Sequence, residues 1–160
     1  MNIFSKWLIR ITRPIVWRLA NAYDLKIQPP GIPYGRHPVE IEDREDALRH
    51  RIPKSTYFNT ASGKIKIGKN VVLGEDVKFL TGMHMNIVDA AKCGVSHHHV
   101  PESGRDIVIE EGVYIGSGAI LVGPVVVKAF SMIAAGAVVV KGVESRTMVA
   151  GVPARVVRQY

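Results

Sequence analysis

From Ile65 onward, apolar residues return every sixth position. Cut from Ile109, the chain reads IEEGVY, IGSGAI, LVGPVV, VKAFSM, IAAGAV, VVKGVE. The first place holds Ile109, Ile115, Leu121, Val127, Ile133 and Val139, all branched aliphatics. The fifth holds Val113, Ala119, Val125, Ser131, Ala137 and Val143, all small or β-branched. An earlier block, IGKNVV, LGEDVK, FLTGMH, puts Ile67, Leu73 and Phe79 in first place and Val71, Val77 and Met83 in fifth. Ordinary strand alternation has a period of two and does not produce a sustained period of six, whereas a stack of coils with flat sides does. Each side supplies one large inward residue, a turn follows, and stacked coils bury a continuous apolar column. Three such units make one coil.

The repeat lapses after His84. The following MNIVDAAKCGVSHHHVPESGRDI has no period and no strong helical face. So long a connection in a compact domain predicts a functional loop thrown out from one corner. The organisation expected is therefore an extension over residues 1–58, a solenoid over 59–152 with a loop insertion at 85–108, and a tail at 153–160 leaving the last coil through the turn Gly151-Val152-Pro153-Ala154.

Within the extension, Phe4, Trp7, Leu8, Ile11 and Ile15 fall at helical spacing, with Lys6, Arg10 and Arg13 on another face. A basic amphipathic helix over residues 3–19, bent near Pro14, follows. Two placements are open: covering the end of the stack, or lying on an anionic membrane surface through residues 1–20. Residues 28–38, rich in Pro and Gly, read as an irregular linker. The charged segment Glu40 to Arg51 reads as a short surface helix whose carboxylates are a solvated face.

The 160-residue chain, 47% hydrophobic, has enough apolar content for a sizeable core. A formal net charge of +7 calls for an anionic partner. Its basic residues are not interleaved with aromatics along a strand face, so no nucleic-acid partner is expected. The single cysteine, Cys93, rules out an internal disulfide and agrees with a reducing compartment. Charges at Lys6, Arg10, Arg13 and Arg18 interrupt every N-terminal apolar run, so neither a spanning helix nor an export signal is expected. A cytoplasmic location, at or away from the inner face of the membrane, is the expectation.

Two signatures, FLTGMH before a loop and the stretch from YIGSGA through AAGAVVVKG to AGVPARVVR, resemble the hexapeptide-repeat acyltransferases, above all sugar and xenobiotic O-acetyltransferases. The resemblance covers roughly residues 59–158. It implies a mainly β fold, a left-handed parallel β-helix, assembled as a homotrimer with active sites between neighbouring subunits. It also implies acetyl-CoA as co-substrate, no metal, and a small-molecule sugar as acceptor, while the amphipathic N-terminus fits a lipid-linked polysaccharide precursor.

By the same resemblance His84, ending the first repeat block, is the catalytic base. The chemistry is apt, because an imidazole titrating near neutrality can take a hydroxyl proton during attack on a thioester. Ser117 matches a position holding the pantetheine arm, and Ala135 another that meets the cofactor through its backbone. Val140 and Lys141 match the region near distal CoA, and Arg155 and Arg158 match basic residues reaching its phosphates. Asn59, in YFNT, matches an acceptor-binding asparagine. Met83 and Met85 flank His84 where polar residues are frequent, which implies a more apolar acceptor.

The run His97-His98-His99 raises a rival, since γ-class carbonic anhydrases share this fold and hold zinc with histidines at a subunit interface. Consecutive residues of an extended segment point to opposite sides, which disfavours convergence on one ion. A non-catalytic scaffold is the third alternative.

Overall fold

The computed structural model describes residues 34–42 and 52–160, together with Thr12 and Ile15. The described residues wind through five coils. The first contains β1 (Tyr34–Gly35) and β2 (Val39–Ile41), and the second β3 (Tyr57–Thr60), β4 (Ile65–Ile67) and β5 (Val72–Leu73). The third contains β6 (Lys78–Leu80), a loop carrying helix α1 (Ile87–Lys92), then β7 (Ile107–Ile109) and β8 (Tyr114–Ile115). The fourth runs through β9 (Ile120–Val122), β10 (Val125–Val127) and β11 (Met132–Ile133). The fifth holds β12 (Val138–Val139) and β13 (Thr147–Ala150), and β14 (Arg155–Gln159) follows.

Corresponding strands stack in parallel into three faces. The first is ordered β1-β3-β6-β9-β12, the second β10-β7-β4-β2, and the third β14-β13-β11-β8-β5. Among the described residues only β14 runs antiparallel, folding back on β13. The architecture is a three-sided parallel β-helix.

The six-residue repeat explains its core. First-place residues Ile109, Ile115, Leu121, Val127, Ile133 and Val139 are buried, as are fifth-place Val113, Ala119, Val125 and Ala137. Ser131 is a polar fifth-place residue, and its buried hydroxyl donates to the Lys128 carbonyl at 2.7 Å, which satisfies it. Phe58 and Phe79 stack in the column with ring centroids 5.2 Å apart and planes 5° from parallel. Burying each large aliphatic side chain contributes about 1.5–3 kcal/mol.

Corners are fixed by residues in the left-handed conformation. Asn70, Gly112, Phe130 and Arg146 turn the chain from the second face to the third, and Asp76, Gly118 and Gly136 turn it from the third to the first. At these two edges first-place residues keep the spacing of six, as from Ile67 to Leu73 or Ile115 to Leu121. The edge between the first and second faces has no such fixed turn. It leads from Phe58 to Ile67, from Phe79 to Ile109, from Leu121 to Val127 and from Val139 to Val143, each with its own length.

Several expectations are corrected. The solenoid begins ahead of Asn59, since Tyr34 and Gly35 pair with Asn59 and Thr60, and Val39–Ile41 pair with Ile65–Ile67. Val39–Ile41 is thus a strand where a helix from Glu40 was expected, because neighbouring backbone offers its polar groups a ladder. The rest of that segment, and the N-terminal helix apart from Thr12 and Ile15, lie outside the described residues. Val143 aligns with Val127 and takes a first place rather than a fifth, because the preceding corner is short. Met83 leaves the column, 53% exposed, since the chain quits the coil after buried Thr81. The loop contains α1 despite lacking a helical period, and it ends where β7 begins at Ile107. No helix among the described residues is long and apolar enough to cross a membrane.

Candidate active site

The loop leaves the variable edge of the third coil. Its outgoing end is tied by Asn59, whose Oδ1 accepts from the Ala61 N–H at 3.0 Å and the Gly82 N–H at 3.2 Å. The Asn59 carbonyl accepts from the Thr81 N–H at 3.0 Å and the Thr81 hydroxyl at 2.9 Å. These bonds fix the chain at Thr81 and Gly82, just before His84.

His84 is exposed, and its ring is held from one side. The Nδ1 atom lies 2.9 Å from the His98 carbonyl oxygen. A carbonyl only accepts, so Nδ1 carries the proton and Nε2 presents a lone pair. The next residue locks the two limbs together, because the Met85 N–H donates to the His99 carbonyl at 3.0 Å. The His98 ring stands edge-on to that of His84, with centroids 6.1 Å apart. The return limb is itself ordered: the His98 N–H donates to Ser96 Oγ at 3.2 Å and the His99 N–H to the Ser96 carbonyl at 2.8 Å. Asn86 caps α1 by accepting from the Asp89 N–H at 2.9 Å. Further along, Glu102 rests on the first coil, its carbonyl accepting from His37 Nε2 at 2.6 Å and its carboxylate pairing with Arg36 at 3.2 Å.

His97 and His98 have ring centroids 4.1 Å apart at 39°. Among the described residues, no group of three or more His, Cys, Asp or Glu side chains has a geometry that could hold a metal ion.

The other sequence-selected residues fall into separate places. Ser117 and Ala135 share the edge between the third and first faces on successive coils, with the Gly136 N–H donating to the Ser117 carbonyl at 2.9 Å. Ser117 Oγ accepts from the Glu75 N–H at 3.2 Å. Val140, Lys141 and Arg155 come together around a groove of about 260 Å³ at the C-terminal end, with Val139, Val149, Ala154 and Val156 as apolar walls. Arg158 is not among them. It pairs with Met148 across the hairpin and stacks its guanidinium 4.8 Å from the centre of the Tyr160 ring.

No protein-family model matches the chain. A Schizosaccharomyces pombe protein that bears an acetyltransferase name is 37% identical over 95 residues, 59% of this chain and 43% of its own length. Galactoside O-acetyltransferase of Escherichia coli is 27% identical over 146 residues, covering 77% of this chain and 71% of that one. A solved structure, the hexapeptide-repeat acetyltransferase of Vibrio cholerae complexed with acetyl coenzyme A, superposes with a TM-score of 0.55 at 25% identity, covering 88% of this chain and 76% of that one.

In sequence and in fold the chain is similar to the hexapeptide-repeat acetyltransferase family. Its coils accordingly wind as the left-handed β-helix of that family. This hexapeptide-repeat chain spans less than half the length of the S. pombe relative.

Two features of the site escaped the sequence. The partner of His84 is a main-chain carbonyl, which leaves no residue-type signature. Arg105, whose Nε–H donates to the Thr81 carbonyl at 2.7 Å, lies at the far end of the loop. The glycines Gly63 and Gly123, which its backbone grazes, were the available signal.

Proposed function

We propose that the protein is an acetyl-CoA-dependent O-acetyltransferase that acetylates a hydroxyl of a sugar or glycoconjugate, with His84 as general base. The observation that carries the reading is the bond from His84 Nδ1 to the His98 carbonyl, which frees Nε2 for a proton. The acceptor hydroxyl attacks the thioester carbonyl carbon while Nε2 takes its proton. The tetrahedral intermediate collapses, the carbon–sulfur bond breaks, and the imidazolium returns that proton to the departing thiolate. No covalent enzyme intermediate is needed.

The cofactor reading rests on the groove at Lys141 and Arg155. Its valine walls suit an apolar arm, and its two cations suit phosphate oxygens. Ser117 retains a hydroxyl proton to donate, and Ala135 offers backbone on the same edge. Asn59 uses its Oδ1 within the fold, which leaves its amide NH₂ as the group for an acceptor oxygen. Arg158, stacked on Tyr160, contributes least. The assembly is a cytoplasmic homotrimer with sites between subunits, and exposed, free Cys93 agrees with a reducing compartment.

The test measures thiol release from acetyl-CoA against a panel of galactosides, glucosides and lipid-linked sugars, for wild type and His84→Ala. Acetylation by wild type with loss in the variant supports the reading, and equal turnover by both overturns the mechanism. Carbon dioxide hydration with added zinc would instead favour the anhydrase alternative. Sedimentation with anionic vesicles at low salt tests the membrane placement of residues 1–20.

A further inference from the structure

The loop that carries His84 is tied to the solenoid at two levels. The upper tie is local: His84 to His98 and Met85 to His99. It closes the limbs on each other and says nothing of where the closed loop stands relative to the coils. Asn59 already holds Thr81 and Gly82 of the outgoing limb to the second coil, and a second lower tie joins that limb to the base of the return limb.

Arg105 provides it. Its backbone runs between the second and fourth coils, with its N–H donating to the Ser62 carbonyl at 3.1 Å. A Cβ built on Gly63 would fall 2.6 Å from the Arg105 carbonyl carbon, and one on Gly123 would fall 2.1 Å from its oxygen. Arg105 is therefore clamped on both sides by residues that have no side chain to spare. The following residue continues the anchorage, since Asp106 Oδ1 accepts from the Lys64 N–H at 3.0 Å.

From this fixed base the side chain crosses to the outgoing limb. Its Nε–H donates at 2.7 Å to the carbonyl of Thr81, three positions before His84. Burial pushes the guanidinium's pKa down, and among the described residues no carboxylate pairs with it. A partly desolvated charge is costly to keep beside a single carbonyl. A neutral donor could hold that carbonyl at lower cost, so the arginine is set by geometry: the Nε–H lies in a planar group at the end of a three-carbon stem, a position lysine cannot reproduce.

We propose that Arg105 is a positioning residue for His84, clipping the outgoing limb of the loop to the solenoid through the Thr81 carbonyl so that Nε2 stands at a fixed place relative to the coils. The proposal rests on His84 acting as the base, but Arg105 touches neither substrate nor the imidazole. Its loss should lower kcat and leave acetyl-CoA binding at the C-terminal groove intact, because Arg105 does not line that groove and a misplaced base slows the chemical step without weakening the cofactor.

The experiment compares wild type with Arg105→Met and Arg105→Lys. Expected are a fall in kcat of at least roughly tenfold in both variants, an unchanged KM for acetyl-CoA, and partial recovery of Arg105→Met by millimolar methylguanidinium. A second readout needs no turnover: nitrogen-15 spectra of the imidazoles should show a single Nδ1-protonated form for His84 in wild type and exchange-broadened signals in the variants. Wild-type kcat together with a wild-type His84 spectrum in either variant overturns the proposal. If Arg105→Met does not fold, Arg105→Lys carries the same two outcomes. Failure of the acetyltransferase reading would be seen separately, as wild-type protein that does not release thiol or does so without need of His84.

Discussion

His84 Nδ1 meets the His98 carbonyl oxygen at 2.9 Å, so the group that orients the imidazole belongs to the backbone of His98 and not to its side chain. His98→Ala should therefore keep kcat within about threefold of wild type, whereas His84→Ala should lower it by roughly 10²–10⁴-fold, the range of general base catalysis. Steady-state acetyl transfer with one responsive acceptor checks both. A large loss in His98→Ala would mean that the edge-on ring contact, and not the carbonyl, sets the geometry.

The groove predicts a split between two arginines. Lys141→Ala or Arg155→Ala should raise KM for acetyl-CoA by roughly tenfold each, the worth of a charge-assisted hydrogen bond, with little change in kcat. Arg158→Ala, whose guanidinium packs on Tyr160, should change KM less than either. Added salt should narrow these differences.

Gly123→Ala would direct a methyl group into the Arg105 carbonyl, 2.1 Å away. Because the obstacle is main chain, relief requires a shift of the coil, and a loss of about 3 kcal/mol in denaturant unfolding is expected. Activity should fall beyond what that loss explains, since the displaced residue is Arg105.

Phe79→Ala removes a fully buried ring from its stack on Phe58. Unfolding stability should drop by about 3–5 kcal/mol, as for other large-to-small aromatic replacements in packed cores.

The ion pair between Lys66 and Glu42, 2.9 Å apart, joins the second coil to the first and sets a pH window. The hydrogen bond and charge of Lys66 hold the Glu42 carboxyl below its usual range, and Glu42 in turn raises the Lys66 ammonium. The lowered acid gives a contribution present above the unfolded carboxylate pKa and lost as pH falls through the folded value. The raised base gives one fully present below the unfolded lysine pKa and lost as pH rises through the folded value. Both groups are well exposed, so the effect is small and salt-sensitive. Thermal unfolding across pH should show Glu42→Gln nearest to wild type at the acidic and strongly alkaline ends.

The repeat was legible because each unit carries its own signal: Ile115, Leu121 and Ile133 announce a buried place without reference to distant residues. Tyr34 and Val39 gave no such signal, since a first coil with two short strands is too brief to establish a period among its prolines and glycines. Helix α1 is under two turns long, shorter than a helical period needs to show itself. Val143 was misplaced by the assumption of constant corner length. Within the site, His84 was marked by its place in a motif, while Arg105 and the His98 carbonyl matter only through what folds against them. Those are tertiary relationships between residues far apart in sequence, and one strand of text does not contain them.

The three edges of the prism also divide its evolutionary freedom. Two are governed by a residue with positive φ at a set place, so adding or deleting a residue there would push the next strand out of its ladder and turn its inward residues to solvent. The edge from the first face to the second lacks that constraint, and the chain uses it to accommodate corners as different as the one at Gly123-Pro124 and the whole His84 loop. Insertions at Val140-Lys141 should accordingly leave the fold intact where equal insertions beside Gly118 or Gly136 do not. One seam of an otherwise periodic molecule is left open to new chemistry, and the loop that carries His84 is what has been sewn into it.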